Sequence, residues 1–152
     1  MSITDNIISA VTKAIYEEFH KDFGDNMLIA KENVEQGLEP NSFAVYCPNP
    51  LIRKDLDILY KTDFLINVCF FPDMTSNTIN STLYDVSERL DNIFEVLKVN
   101  NDLSILGANP AKNISDEKVL SYAISFNTRM PNEIEKEEKM KELIINQEVK
   151  NG

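Results

Sequence analysis

Apolar residues at the start of the chain recur with the period of a helix. Ile3, Ile7, Val11, Ile15 and Phe19 stand four apart, and Ile8 and Ala14 widen the row into a stripe that can face a core. Ser2-Ile3-Thr4-Asp5 has the form of a capping box that opens a helix. Gly24 suits the position just past a helix end, where the backbone turns left-handed. The spacing therefore predicts a first helix between Ser2 and Gly24.

The period then shortens. Met27 to Asn33 reads as a short strand, Gln36-Gly37 as a turn, and Ser42 to Cys47 as a second strand stopped by Pro48-Asn49-Pro50. Leu51 to Tyr60 reads as a connection with at most a turn of helix. From Thr62 to Phe71 the alternation is clear, with Phe64, Ile66, Val68 and Phe70 on one face and Pro72 closing the strand. Asn77 or Thr78 caps a second helix whose apolar positions are Ile79, Leu83, Val86, Leu90, Ile93 and Leu97. Their alternating spacing also suits a coiled-coil seam, but it covers only about three heptads, so a helix lying on a sheet is the reading adopted. Leu103 to Leu106 is a fourth strand, and the breakers Gly107 and Pro110 predict that it is irregular or at an edge. Val119 to Thr128 is the last strand. Leu120, Tyr122, Ile124 and Phe126 share one face, while Ser121, Ala123, Ser125 and Asn127 are left to meet water or a neighbouring subunit.

Strands cluster between helices here and do not alternate with them. That order predicts an α+β fold: a largely antiparallel sheet of about five strands with two helices packed on one face. We divide the chain into a domain over 1–130 and a charged extension over 131–152, helical or flexible. In the extension Met140, Leu143 and Ile144 form a narrow apolar stripe among lysines and glutamates. A lone helix of that length is marginal in water, so it is a solvated tail or a segment that folds onto a partner.

Composition narrows the function. The chain has 152 residues, 43% of them hydrophobic, which fits one domain with a core. Its formal charge of −10 disfavours nucleic acid and anionic membrane as partners. No apolar run approaches the ~18 residues of a membrane span, and the start lacks the make-up of a signal peptide. Cys47 and Cys69 sit in strand-like runs and read as buried thiols of a cytosolic protein.

Candidate chemistry is sparse. His20 is the single histidine, near the end of the first helix, and reads as a surface residue favoured at a helix C-terminus. Two separated cysteines and one histidine do not make a zinc site. Asp55-Leu56-Asp57 lacks the glycine and distal glutamate of a calcium loop. Four glycines in the whole chain leave no phosphate-binding loop. We expect no enzyme, no metal and no cofactor. Phe43, Tyr46, Tyr60, Phe70, Phe71, Tyr84 and Phe94 are numerous for a core of this size, so most are core and one or two belong at an oligomer interface.

A resemblance emerges at Asn33-Val34-Glu35-Gln36-Gly37-Leu38-Glu39-Pro40. Together with the amphipathic first helix before it, this stretch resembles the phage tail terminator family, which also occurs in prophages and phage-tail-like bacteriocins. The aromatic strand Ser42 to Cys47, the Leu59-Tyr60-Lys61 connection and Phe70-Phe71-Pro72 follow in the family's order. The resemblance covers roughly Ile3 to Arg129. Pro40-Asn41-Ser42-Phe43 departs from the family's Pro-Cys, and Ser115-Asp116-Glu117-Lys118 replaces its frequent Asp-Gly hairpin.

The resemblance implies a homo-oligomeric ring, commonly a hexamer, on the head-proximal end of a tail tube. Such a ring stops tube polymerisation and offers a docking surface to neck, collar or sheath proteins. It implies assembly in the host bacterial cytoplasm and residence in the tail. Glu35, Gln36, Gly37, Tyr60, Met140, Leu143 and Ile144 are the candidate subunit or partner contacts. For Gly37 the alternative is a turn needing positive φ. Other readings are a different head–tail completion protein of related fold, or a small-ligand-binding regulatory domain.

Overall fold

The structure is a computed structural model that describes residues 3–34, 39–48 and 63–127. Its first element is α1 (Ile3–Phe23). Ile7, Val11, Ile15 and Phe19 are fully buried, and Ala10 joins them on the same face. Gly24 ends the helix at φ 97°, and its N–H donates to the His20 carbonyl at 2.8 Å. This is the left-handed cap that a side-chain-free residue adopts at least cost.

Six strands follow with one further helix: β1 (Ile29–Ala30), β2 (Ser42–Tyr46), β3 (Asp63–Phe71), α2 (Ile79–Phe94), β4 (Val96–Lys98), β5 (Ser104–Ile114) and β6 (Leu120–Asn127). They form one sheet in the order β1-β2-β3-β6-β5-β4. Among the described strands only the β1–β2 pair is parallel; the other four pairs are antiparallel. Both helices lie on one face of this α+β fold. α1 touches β2 and β4, near opposite ends of the sheet, so the sheet curls around the helix pair.

The core forms where the predicted alternation puts it. Phe64, Ile66, Val68 and Phe70 of β3 pair with Phe126, Ile124, Tyr122 and Leu120 of β6, and all eight are buried. Each large apolar side chain contributes roughly 1.5–3 kcal/mol relative to an exposed one. Phe43 connects this layer to α1, with ring centroids 4.9 Å from Phe70 and 5.1 Å from Phe19.

Three elements differ from expectation. First, the apolar stripe of the second helix was expected to run through Leu97, but α2 stops at Phe94 and Leu97 reaches the core from β4. Pairing of Leu97 with Ile105, and donation from the Gly107 N–H to the Glu95 carbonyl at 3.2 Å, pull the chain out of the helix. Second, the expected strand over Met27 to Asn33 is only Ile29–Ala30. Third, the strand expected over Leu103 to Leu106 runs from Ser104 to Ile114; it is irregular, as expected, but lies between β6 and β4 and not at an edge. A bulge between Ala108 and Ala111 absorbs Pro110, while Gly107 stays in register opposite Phe126. Asn109 takes φ 55°, and Pro110, with no N–H to give, sits in the bulge out of register.

The β5–β6 hairpin closes without glycine. Ser115 accepts the Lys118 N–H on its carbonyl at 2.9 Å and the Val119 N–H on its hydroxyl at 3.1 Å, while Lys118 takes φ 66°.

Candidate functional site

The two faces of the sheet differ in chemistry, and register defines them. Residues paired across strands share a face, and faces alternate along each strand. One face is the core under the helices. On the other, Leu65, Asn67 and Cys69 of β3 stand beside Ser125, Ala123 and Ser121 of β6. These in turn adjoin Ala108, Ala111 and Asn113 of β5. A further row brings Leu106 beside Val96 of β4. Toward β2 the face is covered, since Ser42 and Ala44 are buried; the open part spans β3, β6, β5 and β4.

Among the described residues few on this face are charged, in a chain in which 26% of residues are charged. Lys98 stands on it in β4, and Lys112 reaches the lining of its cleft. The helix layer is the opposite case. Seven carboxylates on α1 and α2, Asp5, Glu17, Glu18, Asp22, Asp85, Glu88 and Asp91, outnumber Lys13, Lys21 and Arg89.

Large apolar side chains lie uncovered at one end of the open face. Val96 is 55% exposed, its partner Leu106 54% and Leu65 38%. Leaving such residues in water forgoes their burial energy, and contiguous exposed apolar surface rimmed by polar groups marks protein contact sites.

At the centre of the face is a shallow cleft of about 260 Å³ lined by Tyr46, Asn67, Cys69, Asn113, Ser121 and Ala123. Asn67 donates from Nδ2 to the Tyr46 hydroxyl at 3.2 Å, and its Oδ1 is buried without a partner. Burial pushes the Cys69 thiol above its ordinary pKa, and a hydrogen bond with Ser121 offsets part of that rise. Cys69 is half-buried on this face and Cys47 half-buried beside the core, so the two thiols are less enclosed than expected.

The helix layer holds its own charges in place. Arg89 donates from Nε to Glu18 Oε1 at 2.8 Å and from an Nη to the Glu18 carbonyl at 2.7 Å. It also pairs with Asp22 at 2.7 Å and Asp85 at 3.3 Å, and its guanidinium lies 4.4 Å from the Phe19 ring centroid. Burial pulls the Arg89 pKa down, but the three carboxylates outweigh it and leave it raised. Nearby, the buried Tyr122 hydroxyl donates to Asp91 at 2.7 Å, and Lys112 pairs with the same carboxylate. Burial first, and Asp91 second, push the Tyr122 pKa up.

His20 stacks on Tyr16 at 5.0 Å, and its Nδ1–H donates to the Tyr16 carbonyl. Among the described residues no three His, Cys, Asp or Glu side chains are grouped to hold a metal, and no helix is long and apolar enough to cross a membrane.

The contacts expected from sequence, Glu35, Gln36, Gly37, Tyr60, Met140, Leu143 and Ile144, all lie outside the described residues. Of the seven aromatics singled out, Phe43, Phe70 and Phe94 are core, Tyr46 and Phe71 are half-buried, and Tyr84 is 58% exposed on α2; Tyr60 lies outside the described residues. Sequence reasoning anticipated the β6 part of the open face but missed Val96 and Leu106. The alternation of Leu103 and Ile105 with Ser104 and Leu106 carried the signal for Leu106.

Residues 6–140 match the model of a family described as phage tail terminator protein. The match runs past Arg129, where the resemblance read from the sequence ended, to Met140. No curated protein matches the chain significantly. With nearly its whole length matched, and with the expected α+β fold, the chain belongs to the phage tail terminator family, a family of structural tail components acting in virion assembly alongside other tail proteins.

Proposed function

We propose that this chain is the subunit of a ring, commonly a hexamer, that caps the head-proximal end of a tail tube in a phage or phage-tail-like particle. The family match over residues 6–140 is the observation that carries the reading. A growing tube end exposes unsatisfied strand edges and apolar surface that template the next ring. A terminator matches that surface on one side and offers no template on the other, so polymerisation stops. A closed ring needs a heterologous contact related by rotation. Its outward side receives neck or collar proteins.

Within this reading Glu35, Gln36, Gly37 and Tyr60 contact the adjacent subunit. The stripe of Met140, Leu143 and Ile144 contacts neck proteins, or the sheath where the tail is contractile. Truncation after Met130 then weakens that attachment and leaves the domain folded; unchanged particle assembly contradicts it. The protein assembles in the host bacterial cytoplasm and ends in the tail. Its role is structural, without catalysis.

Deletion of the chain followed by electron microscopy tests the reading. Tails of unregulated length, or tails that fail to join heads, are expected. Normal particles contradict it.

A further inference from the structure

We infer that the groove between α1 and β4 is the seat of this chain's own C-terminal segment, with Leu143 to Ile145 lying as a further strand along the free edge of β4. The inference concerns the free subunit and does not depend on the terminator reading.

The edge asks for a strand. β4 stands last in the sheet, with β5 as its neighbour on one side. Glu95 and Val99 turn their backbone groups toward β5. The Glu95 carbonyl accepts the Gly107 N–H at 3.2 Å, and the Val99 N–H donates to the Leu103 carbonyl at 2.9 Å. Leu97, paired with Ile105 between them, points the same way. In an antiparallel ladder the residues in between point their backbone groups outward. These are Val96 and Lys98, and among the described residues neither N–H finds a backbone acceptor. Such a row of free groups is a template for an extended segment.

Beside that edge there is room for one. A groove of about 820 Å³ runs between α1 and β4. Ser9, Ala10 and Ala14 on its α1 wall are small, and Ile93, Val96 and Val99 stand on the other side. An added strand alternates its side chains between the two sides of the sheet. One set lies over the small residues of α1, on the side to which buried Leu97 points, and the other lies beside exposed Val96.

Position and sequence select the occupant. β6 ends at Asn127, which pairs with Leu106, and Leu106 pairs with Val96. The chain therefore leaves the sheet in the row that ends on the free edge, two strands away, or about 10 Å at ordinary strand spacing. Roughly 15 residues separate Asn127 from Leu143 and can span up to about 50 Å, so the tether reaches the edge with length to spare for a turn. Residues 49–62 are instead anchored at both ends, in β2 and β3, with β6 and β5 between them and β4. Leu143-Ile144-Ile145 is apolar throughout and β-branched at two of its three positions, which suits a strand. In that form Leu143 and Ile145 face the small residues of α1, and Ile144 faces Val96. The flanking Lys141, Glu142, Glu148 and Lys150 cancel in charge, so the segment adds no repulsion to a chain of formal charge −10. Tethering raises its local concentration to about the millimolar range, which favours it over an untethered copy. Within the terminator reading, a neck or sheath protein that takes Met140, Leu143 and Ile144 must first draw them from this groove.

The test is amide hydrogen exchange of the full chain, resolved by residue with NMR at two concentrations about tenfold apart, with Ile145→Asp and Lys98→Pro as variants. Proline at position 98 removes an outward N–H and leaves the ladder with β5 whole. Ile145→Asp alters only the segment. We expect Leu143 to Ile145 and Lys98 of the unmutated chain to exchange about tenfold or more slower than an unstructured chain, equally at both concentrations. Both variants should return the segment to the unstructured rate. Ile145→Asp should also free the Lys98 amide, while core amides such as Ile66 stay slow and confirm the fold. If Lys98→Pro loses core protection, the Lys98 amide in Ile145→Asp decides alone. Exchange of the unmutated segment at the unstructured rate overturns the inference, as does segment protection that survives Lys98→Pro or a Lys98 amide indifferent to Ile145→Asp. Protection that falls on dilution also overturns it, by seating the segment on a second copy. The deletion phenotype decides the terminator reading in every case.

Discussion

The carbonyl oxygen of Phe94 occupies the space that a side chain on Gly107 would need. A Cβ built on Gly107 stands 2.2 Å from that oxygen and 2.6 Å from Ile124 Cδ1. The end of α2 therefore rests directly on β5, and the Gly107 N–H closes the contact on the Glu95 carbonyl. Gly107→Ala must push the helix end off the sheet. We expect a loss of about 1–3 kcal/mol, the usual range for overpacking. Urea denaturation measures it, with Ala108→Ser, exposed on the open face, as a near-neutral control.

Arg89 joins the two helices, so its removal acts on their packing as well as on charge. Arg89→Ala leaves Glu18, Asp22 and Asp85 close together without their shared cation and strips the cover from Phe19. The carboxylates are partly solvated, which limits the effect to about 1–2 kcal/mol. Arg89→Lys should recover only part of it, since a point charge cannot reach all partners as the guanidinium fork does. Denaturation midpoints at low and high salt check this, and equal midpoints for all three proteins contradict it.

Cys69 reports on the open face through its reactivity. The thiolate is the reactive form, and burial raises the Cys69 pKa. The thiol therefore stays protonated to a higher pH than an unperturbed one, and alkylation at a fixed mildly alkaline pH should be slower than for a free cysteine. The rate should rise as pH passes above the ordinary thiol range. Mass spectrometry of iodoacetamide-treated protein measures this, and labelling as fast as free cysteine contradicts it.

Lys118 holds φ 66°, a conformation that costs a residue with a side chain about 1–2 kcal/mol. Glycine relieves that cost but brings about 0.5–1 kcal/mol of extra chain entropy to the unfolded state. Lys118→Gly should thus stabilise the protein by up to about 1 kcal/mol, and Lys118→Val should destabilise it by a similar amount. Thermal melts compare the three.

Where burial is one-sided and local, the fold was legible in the sequence. The four-residue spacing of Ile7 to Phe19 and the alternation in β3 and β6 exist because a core on one side demands them. β4 was not legible, since Leu97 continues the helical stripe and only its pairing with Ile105 makes it a strand. Gly107 and Pro110 read locally as breakers, yet one makes room for a helix end and the other sits in a bulge. The open face was half legible. Ser121, Ala123 and Ser125 showed on their own strand, but Val96 and Leu106 join them only through the register of β4 on β5 and of β5 on β6. Glu35 to Gly37, Tyr60 and the Met140 to Ile144 stripe lie outside the described residues and stay readings of the sequence.

The most direct measurement is the length of tail tubes polymerised from purified tube protein with and without this chain, scored by negative-stain electron microscopy. Added protein is expected to shorten the tubes in proportion to its concentration and to leave a ring-shaped density at one end only. Tubes of unchanged length with bare ends at every concentration would contradict it.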